Sequence, residues 1–140
     1  MAYDSDNVFA KILRGEMPAH KVYEDADTLA FMDIMPRCDG HTLVIPKAPV
    51  RNVLDASKAQ LAACMQTVQK VAGAAMKAFD ANGITLLQAN ERAGGQVVFH
   101  LHFHVMPRWD GQPLGPPATR MESSEVLSAN AERLRKSLAA

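Results

Sequence analysis

Three histidines alternate with apolar residues in one short run, His100-Leu101-His102-Phe103-His104. They are three of the five histidines in the chain, so chance is a poor explanation for the cluster. Because alternate side chains of a β-strand share a face, the run predicts a row of three imidazoles on one face of a strand. The alternatives are a solvated strand face or core histidines that bond neighbouring carbonyls. Three rings that all need buried partners are costly, however, and indicate a chemical role.

Metal binding is one role that such a run can serve, because neutral imidazole is a good metal ligand. Alternate residues rise about 6.6 Å along a strand, so His100 and His104 would be rooted about 13 Å apart. Bonds of about 2 Å to a single ion therefore suit at most two of the three rings. We predict no metal site and no cofactor, with a histidine–metal hydrolase as an alternative.

Nucleophilic catalysis is the second role, in which a neutral imidazole attacks phosphorus and is later displaced by water or another acceptor. Repulsion between neighbouring rings would keep the central ring unprotonated near neutral pH. A flanking ring or a backbone carbonyl would fix its tautomer. The run therefore predicts chemistry at phosphorus with His102, the central histidine, as the nucleophile.

Residues just before the run can neutralise phosphate oxygens. Gly94 and Gly95 can offer backbone N–H groups to an anion, and Asn90 and Gln96 carry side-chain amide donors. A plain turn is the alternative interpretation of two adjacent glycines. Because the glycines lie immediately before the predicted strand that carries the histidines, an anion site is as reasonable as a turn.

Strand patterns lie on both sides of one long helical pattern. β-Branched and aromatic residues bounded by turn residues predict five strands, over residues 21–24, 28–34, 41–45, 84–88 and 97–106. The last of these carries the histidine run. Closely linked strands before and after a helix predict an α+β domain with a largely antiparallel sheet.

Three helices are predicted from apolar residues spaced three and four apart. The short first helix is capped by Asp6 or Asn7, and the last helix covers about residues 124–138. The long helix begins with a capping box formed by Ser57 and Gln60. Its apolar stripe is expected to cover the sheet.

Composition limits the class of protein. A chain of 140 residues, 48% of them hydrophobic, predicts a single domain over residues 1–140. Fifteen basic and fifteen acidic residues cancel, which argues against binding to nucleic acid. No apolar run approaches the roughly 20 residues that span a bilayer, and no signal pattern is present, so we expect a cytoplasmic protein without membrane association. Cys38 and Cys64 lack metal-type spacing and are expected to be free thiols.

The histidine run is part of a longer pattern. The string GQVVFHLHFHVMPR at 95–108 follows, in order, VFAKILRGEMP at 8–18, VYED at 22–25, AFMDI at 30–34 and GHTLVIPK at 40–47. Together these strings closely resemble the Hint-like branch of the histidine triad (HIT) family. The resemblance covers about residues 6–109. It leaves residues 110–140 as a C-terminal loop and helix, which we expect to shape specificity at the edge of a dimer.

The resemblance implies a HIT-like fold, with a five-stranded antiparallel sheet, one long helix, a short N-terminal helix and a homodimer. It also implies cleavage at the α-phosphate of adenosine or guanosine derivatives, namely phosphoramidates, dinucleoside polyphosphates or related adenylates. His102 would form the covalent nucleotidyl intermediate, His100 would support it through hydrogen bonds, and His104 would contact the phosphate. His41 would be the fourth histidine of the site.

The resemblance further assigns the residues that hold the nucleotide. Asn90 and Gln96 match positions that support catalysis or hold the phosphates, and Gly95 keeps the backbone close to them. Asp33 matches the acid that receives the ribose hydroxyls, with a strand-end acid in solvent as the alternative. The apolar clamp around the base corresponds to Phe9, Ile12, Phe31 and Ile34. For these four residues, ordinary core packing is the alternative.

Two positions depart from the family pattern. Asn7 and Ala10 stand where many bacterial relatives have the cysteines of a structural zinc site, so we predict no such site. Val97 stands where a small hydroxyl residue usually hydrogen-bonds the scissile phosphate region, and its side chain donates nothing. Loss of one donor costs on the order of 2–4 kcal/mol in the transition state. A nucleotide-binding regulatory module with little activity is therefore the main alternative to an enzyme.

Overall fold

Five strands form one antiparallel sheet in the computed structural model, which describes residues 2–117 and 120–140. Their bounds are β1 Lys21–Glu24, β2 Thr28–Met32, β3 Thr42–Pro46, β4 Gly83–Leu87 and β5 Phe103–Arg108. In space the order is β1-β2-β3-β5-β4, and every neighbouring pair is antiparallel. The predicted α+β class with a five-stranded antiparallel sheet is confirmed. Residues 118 and 119 of the predicted C-terminal loop lie outside the described residues.

Three α-helices accompany the sheet within the described residues, namely α1 Val8–Leu13, α2 Lys58–Ala78 and α3 Ser124–Ala139. The predicted capping box is present at the start of α2. Gln60 N–H donates to Ser57 Oγ, and Ser57 N–H donates to Gln60 Oε1. Of the two candidate caps for α1, Asn7 is the one used, because its side chain accepts from the N–H group of Ala10.

The sheet is covered on both faces. One face packs against α2 and α3 in a buried cluster that includes Val44, Val71, Val105 and Leu134. The other face packs against α1 in a second cluster formed by Phe9, Ile12, Leu29, Phe31, Leu43 and Ile45. Every residue of β2 and β3 is therefore buried, which explains why these strands read as continuous apolar runs. Burial of each large apolar side chain contributes about 1.5–3 kcal/mol.

The histidine-bearing strand starts later than predicted. β5 begins at Phe103, not at residue 97, and continues to Arg108. Before the strand, the N–H group of Leu101 donates to the carbonyl of Val50 in a loop, 2.9 Å away. The prediction of a strand over 97–102 is wrong, because alternation along the chain does not say which backbone the segment bonds to.

Two thiols are present, and both are free, as predicted. Cys64 is buried in α2, and Cys38 is partly buried beside a turn. Burial raises the pKa of Cys64 to about 12 and that of Cys38 to about 11, so both thiols are protonated at neutral pH. Among the described residues, no helix combines the length and the apolar character needed to cross a bilayer.

Candidate active site

His102 lies immediately before β5 and is oriented by the backbone of a neighbour. Its Nδ1 is 2.7 Å from the carbonyl oxygen of His100. A carbonyl oxygen only accepts, so Nδ1 carries the hydrogen and Nε2 keeps its lone pair. Nε2 has no hydrogen bond to any described residue, whereas every buried side-chain nitrogen or oxygen among them has a partner. Nε2 is therefore open to solvent on a residue that is only 8% exposed.

Burial keeps His102 neutral. Removal from water lowers the pKa of this imidazole, and the hydrogen bond to the His100 carbonyl opposes that shift only in part. Burial, not the expected repulsion between rings, is the main cause. A neutral ring with a free Nε2 lone pair is the form that attacks an electrophile.

His104 lies on β5, and its two ring nitrogens have the reverse roles of those of His102: Nδ1 accepts and Nε2 donates. Arg37 N–H donates to Nδ1 of His41, 3.1 Å away, so the hydrogen of His41 is on Nε2. That nitrogen is 2.8 Å from Nδ1 of His104, which must accept. The hydrogen of His104 is therefore on its own Nε2. The rings of His102 and His104, with centroids 5.0 Å apart, thus carry one acceptor and one donor at Nε2.

Asp33, His41 and His104 each offer a metal-ligand atom, and these atoms lie within 4.8 Å of one another. Two imidazoles and a carboxylate suit zinc or another divalent transition metal by residue type. Their protonation does not suit a metal, because Nε2 of His41 carries the hydrogen that bonds His104 and lies 3.4 Å from Asp33 Oδ2. A metal here would require that hydrogen to move to Nδ1 of His41, which faces the N–H group of Arg37. The geometry favours the hydrogen bond over an ion.

Burial shifts three pKa values in this group. It lowers the pKa of His104 to about 4 and that of His41 to about 3, with further lowering from the neighbouring imidazoles and from Arg37. It raises the pKa of Asp33 to about 6, against the hydrogen bond that Met35 N–H donates to the carboxylate. At neutral pH both imidazoles are neutral, and Asp33 carries the one negative charge of the group.

The C-terminal loop reaches the site through Arg37. Arg37 Nε donates to the carbonyl of Gly115 at 2.9 Å, and Gly115 N–H donates to the carbonyl of Arg37 at 3.0 Å. A Cβ at Gly115 would lie 2.8 Å from that carbonyl oxygen, so the contact requires glycine. Because the N–H group of Arg37 also orients His41, the loop supports the chain of hydrogen bonds that ends at His104.

His100 is fully buried, and its close ring contact is with Tyr3. Close ring pairs join His102 to His104 and His104 to His41, whereas the ring of His100 packs edge-on against Tyr3 with centroids 5.6 Å apart. The predicted row of three imidazoles is therefore wrong. His100 precedes the strand whose alternation the prediction assumed.

Tyr3 is a site residue that the sequence interpretation missed. His100 Nε2 donates to the carbonyl of Pro46 at 2.8 Å, which leaves Nδ1 to accept the hydroxyl hydrogen of Tyr3 at 2.6 Å. Asn7 Nδ2 donates in turn to the Tyr3 oxygen at 3.0 Å. No local pattern signals this contact, because Tyr3 and His100 are 97 positions apart.

Gln96 is buried and uses its whole side-chain amide inside the protein. Its Nε2 hydrogens go to the carbonyls of Arg51 and Val98, at 2.8 and 3.0 Å. Its Oε1 accepts from the N–H group of Glu91 at 2.8 Å and from Asn52 Nδ2 at 3.0 Å. A phosphate contact from this side chain would require one of these bonds to break, so the amide is placed to hold the loop.

Asn90 is engaged in the same loop but retains a donor. Its Oδ1 accepts from Val53 N–H at 2.9 Å and from Gln88 Nε2 at 2.8 Å. Its Nδ2 donates to Gln88 Oε1 at 2.8 Å. One Nδ2 hydrogen of Asn90 therefore has no partner among the described residues.

Gly94 and Gly95 form a tight turn. Gly94 N–H donates to the carbonyl of Glu91 and Gly95 N–H to that of Arg92, each at 3.0 Å. Gly95 has a φ of 98°, a left-handed conformation that favours glycine. The turn is therefore the correct interpretation, and an anion cradle built from these two N–H groups is not. The next backbone N–H without a partner among the described residues is that of Val97, a residue that is 81% exposed.

The four apolar residues assigned to the base lie in two environments. Phe9, Ile12 and Phe31 are buried in the core cluster that α1 forms with the sheet. Phe9 links this cluster to the histidines, because its ring centroid is 5.0 Å from that of His102. Ile34 is 46% exposed and is the one of the four that presents a large apolar surface to solvent.

Similarity to known proteins identifies the family. The sequence model of one family, described as the HIT domain, matches residues 14–111. The chain belongs to the HIT family. The resemblance inferred from the histidine run is thereby confirmed, and residues 112–140 extend beyond the matched HIT domain.

Solved and curated HIT relatives agree with this assignment. A HIT-like protein of Bartonella henselae is 50% identical with a TM-score of 0.91, over 97% of this chain and 99% of that one. An adenosine 5′-monophosphoramidase of Schizosaccharomyces pombe is 34% identical over 86% of this chain and 96% of its own. An adenylylsulfatase of Arabidopsis thaliana is 35% identical over 93% of this chain and 66% of its own. The chain is thus similar to HIT proteins that carry the names of hydrolytic enzymes.

Proposed function

We propose that this HIT protein is a nucleotide hydrolase or transferase that forms a covalent nucleotidyl-His102 intermediate. It would cleave at the α-phosphate of adenosine or guanosine phosphoramidates, dinucleoside polyphosphates or related adenylates. The observation that carries the proposal is the orientation of His102, with Nδ1–H bonded to the His100 carbonyl and the Nε2 lone pair open to solvent. The names of two relatives, an adenosine 5′-monophosphoramidase and an adenylylsulfatase, support this choice of substrates.

In the first step the Nε2 lone pair of His102 forms a bond to the α-phosphorus. The bond from phosphorus to the leaving group breaks, and the leaving group keeps the electron pair and takes up a proton from solvent. The ring is then positively charged, and its Nδ1–H remains bonded to the His100 carbonyl, which stabilises the charge. No proton has to leave Nε2 first, because burial already keeps the ring neutral.

In the second step a water oxygen attacks the same phosphorus. The bond between Nε2 and phosphorus breaks, its electron pair returns to His102, and one water proton goes to solvent. The nucleoside monophosphate is released, and the ring is again neutral. With another acceptor in place of water, the same step transfers the nucleotidyl group.

His104 and Val97 supply donors to the phosphate oxygens in this proposal. His104 donates from Nε2, since its Nδ1 is bonded to His41. Val97 donates from its backbone N–H group. This donor compensates in part for the hydrogen bond that a hydroxyl side chain at this position would donate. Asn90 contributes its remaining Nδ2 hydrogen, and Gln96 holds the loop that carries these donors.

Asp33 and the apolar residues near it would hold the nucleoside. Asp33 is ionised at neutral pH, and its carboxylate has lone pairs left to accept from the ribose hydroxyls. Ile34 would supply exposed apolar surface to the base, whereas Phe9, Ile12 and Phe31 are buried. Gly95 allows the backbone of the phosphate loop to approach without a side chain in the way.

A second copy of the chain is part of the proposal. β4 lies at an edge of the sheet and exposes Leu86 and Leu87. Beside it, α2 and β4 line a mostly apolar hollow of about 630 Å³ with Met65 at its wall. Because an open strand edge with apolar side chains is a surface that proteins normally cover, we expect a symmetric dimer through α2 and β4. Sedimentation equilibrium that shows only monomer at micromolar concentration would contradict it.

Trapping the intermediate tests the chemical proposal. The protein is mixed with adenosine 5′-phosphoramidate, quenched within milliseconds, and digested for mass measurement of the peptide that contains His102. We expect one added nucleotidyl group on the wild type and none on His102→Ala. The variant should still bind adenosine monophosphate, because the ring that attacks is not the one that holds the nucleotide. Wild-type turnover by His102→Ala would refute the assignment.

The rival functions predict other outcomes of the same experiment. Tight nucleotide binding by the wild type without adduct or product would indicate the regulatory module that Val97 makes plausible. Stoichiometric metal in the purified protein, with activity lost on chelation, would indicate the histidine–metal hydrolase. Comparison of phosphoramidates with dinucleoside polyphosphates, each with a purine or a pyrimidine base, would define the leaving group.

A further inference from the structure

A strained residue, Glu91, begins the loop that leads to the histidines. Its φ and ψ are 64° and 164°, a region of backbone conformation that is largely restricted to glycine. A residue with a side chain persists there only when its surroundings over-determine the conformation. Glu91 is held by its neighbours through both its carboxylate and its backbone.

Arg51 and Asn52 hold the carboxylate. Arg51 donates from Nε and Nη2 to the two carboxylate oxygens of Glu91, both at 2.8 Å, and Asn52 Nδ2 donates to Oε2 at 2.6 Å. The Arg51 guanidinium also lies over the ring of Phe99, 4.4 Å from its centroid. The hydrogen bonds from Arg51 and Asn52 lower the pKa of Glu91 to about 2, so the carboxylate is ionised at any working pH. A bidentate arginine–carboxylate pair of this kind fixes the orientation of the two side chains as well as the distance between them.

Gln96 holds the backbone of Glu91. The N–H group of Glu91 donates to Gln96 Oε1 at 2.8 Å, and the N–H group of Gln96 donates to the Glu91 carbonyl at 3.0 Å. These two bonds close residues 91–96 into a ring. The chain leaves this ring at Val97, whose N–H group has no partner in the part of the chain that the structure describes, and continues to His100, whose carbonyl orients His102.

We propose that Glu91 is a positioning residue for the reaction at His102. Its carboxylate, clamped by Arg51, sets the turn over 91–96 and so places the Val97 N–H group and the segment that ends at His102. This inference rests on the proposed function. Donors that are fixed before the reaction stabilise a transition state best, and a misplacement of about 1 Å can cost about 10²-fold in rate. The clamp should therefore affect kcat more than nucleotide affinity.

Two substitutions test the clamp from its two sides. Glu91→Gln keeps the shape of the side chain and removes its charge, and Arg51→Lys keeps the charge and removes the paired geometry. We expect each to lower kcat with adenosine 5′-phosphoramidate by roughly 10-fold to 100-fold. The Kd for adenosine monophosphate should stay within about threefold of the wild-type value. The reason is that the clamp stabilises the transition state and does not contribute equally to nucleotide binding. Glu16→Gln, which breaks the exposed pair with Arg14, is the matched control and should change neither value.

The double variant separates the clamp from a general loss of stability. Because Arg51→Lys and Glu91→Gln disrupt one interaction, together they should lower kcat no further than the larger single effect. Multiplicative losses, a wild-type kcat in Glu91→Gln, or equal losses of kcat and nucleotide affinity would overturn the proposal. Arg51→Lys serves alone if Glu91→Gln does not fold. A wild-type protein that forms no nucleotidyl adduct would instead contradict the proposed function, so the two failures are distinguishable.

Discussion

His102 and His104 are two positions apart in the same segment, and they present opposite groups at the same ring position. His102 has the backbone carbonyl of His100 at Nδ1, so its Nε2 accepts. His104 has the Nε2–H group of His41 at Nδ1, so its own Nε2 donates. Identical side chains thus acquire different chemistry from the partner of one nitrogen. In the proposed function, that partner determines which ring attacks phosphorus and which donates to a phosphate oxygen.

Substitution of His102 and of His104 by glutamine should give the largest difference in activity between the two positions. Its amide can donate from Nε2 but cannot attack phosphorus, so His102→Gln should have no measurable turnover. His104→Gln should retain activity within about tenfold of wild type, whereas His104→Ala should lose about 10²-fold to 10³-fold in kcat. Steady-state kinetics with adenosine 5′-phosphoramidate measures all three. A kcat of His104→Ala close to that of the wild type would show that the Nε2 donor has no role.

Acid should weaken the fold through the same histidines. The folded-state pKa values of His104 and His41 are about 4 and 3, below the ordinary value near 6.5. Below about pH 6.5 the unfolded chain therefore binds protons that the folded protein does not. The free energy of unfolding should fall as the pH falls, by up to about 1.4 kcal/mol per pH unit for each histidine.

Asp33 has the opposite effect on the free energy of unfolding, but it is one residue against the two histidines His104 and His41. Its folded-state pKa, raised to about 6, stabilises the fold at low pH, and that contribution is lost as the pH rises through 6. Urea unfolding at pH 7 and pH 5 measures the balance in wild type, and His104→Gln should show a smaller difference between them. An unfolding free energy that does not change over this range would contradict the burial of neutral imidazoles.

Removal of His41 should change the tautomer of one histidine only. In His41→Phe, Nδ1 of His104 has no donor, so both tautomers of His104 become accessible and kcat should fall by about tenfold, or about 1.4 kcal/mol. His102 should keep its hydrogen on Nδ1, because its partner is unchanged. Ring ¹⁵N chemical shifts report the two tautomers separately. A shift at His102 as large as that at His104 would show that the two chains of hydrogen bonds are coupled.

Tyr3→Phe should have the smallest effect on catalysis. It leaves the buried Nδ1 of His100 without a donor, which costs about 1–3 kcal/mol of stability. His102 is held by the His100 carbonyl and not by its ring, so kcat should fall by less than about fivefold. Tyr23→Phe, whose hydroxyl bonds Asp25 outside the site, is the matched control in thermal unfolding. A loss of kcat as large as in His104→Ala would place the ring of His100 in the catalytic chain.

The family and much of the fold could be predicted from local patterns. The spacing of the three histidines, the capping box of Ser57 and Gln60 and the five apolar strand patterns depend on neighbours along the chain, which a sequence displays directly. The start of β5 could not be predicted, because Leu101 bonds the loop at Val50 and not a strand. The turn at Gly94 and Gly95 remained one of two alternatives until its hydrogen bonds were known.

The sequence by itself determined that a cluster of imidazoles would follow a pair of glycines, and it identified His102 as the central ring. Only the tertiary structure decided what each ring nitrogen carries. Nδ1 of His104 meets a histidine 63 positions away, and Nδ1 of His100 meets a tyrosine 97 positions away. Periodicity follows from the geometry of one segment, whereas a hydrogen-bond partner depends on which distant segments fold against it. The tautomers, and with them the proposed division between attack and phosphate binding, are therefore a property of the folded chain.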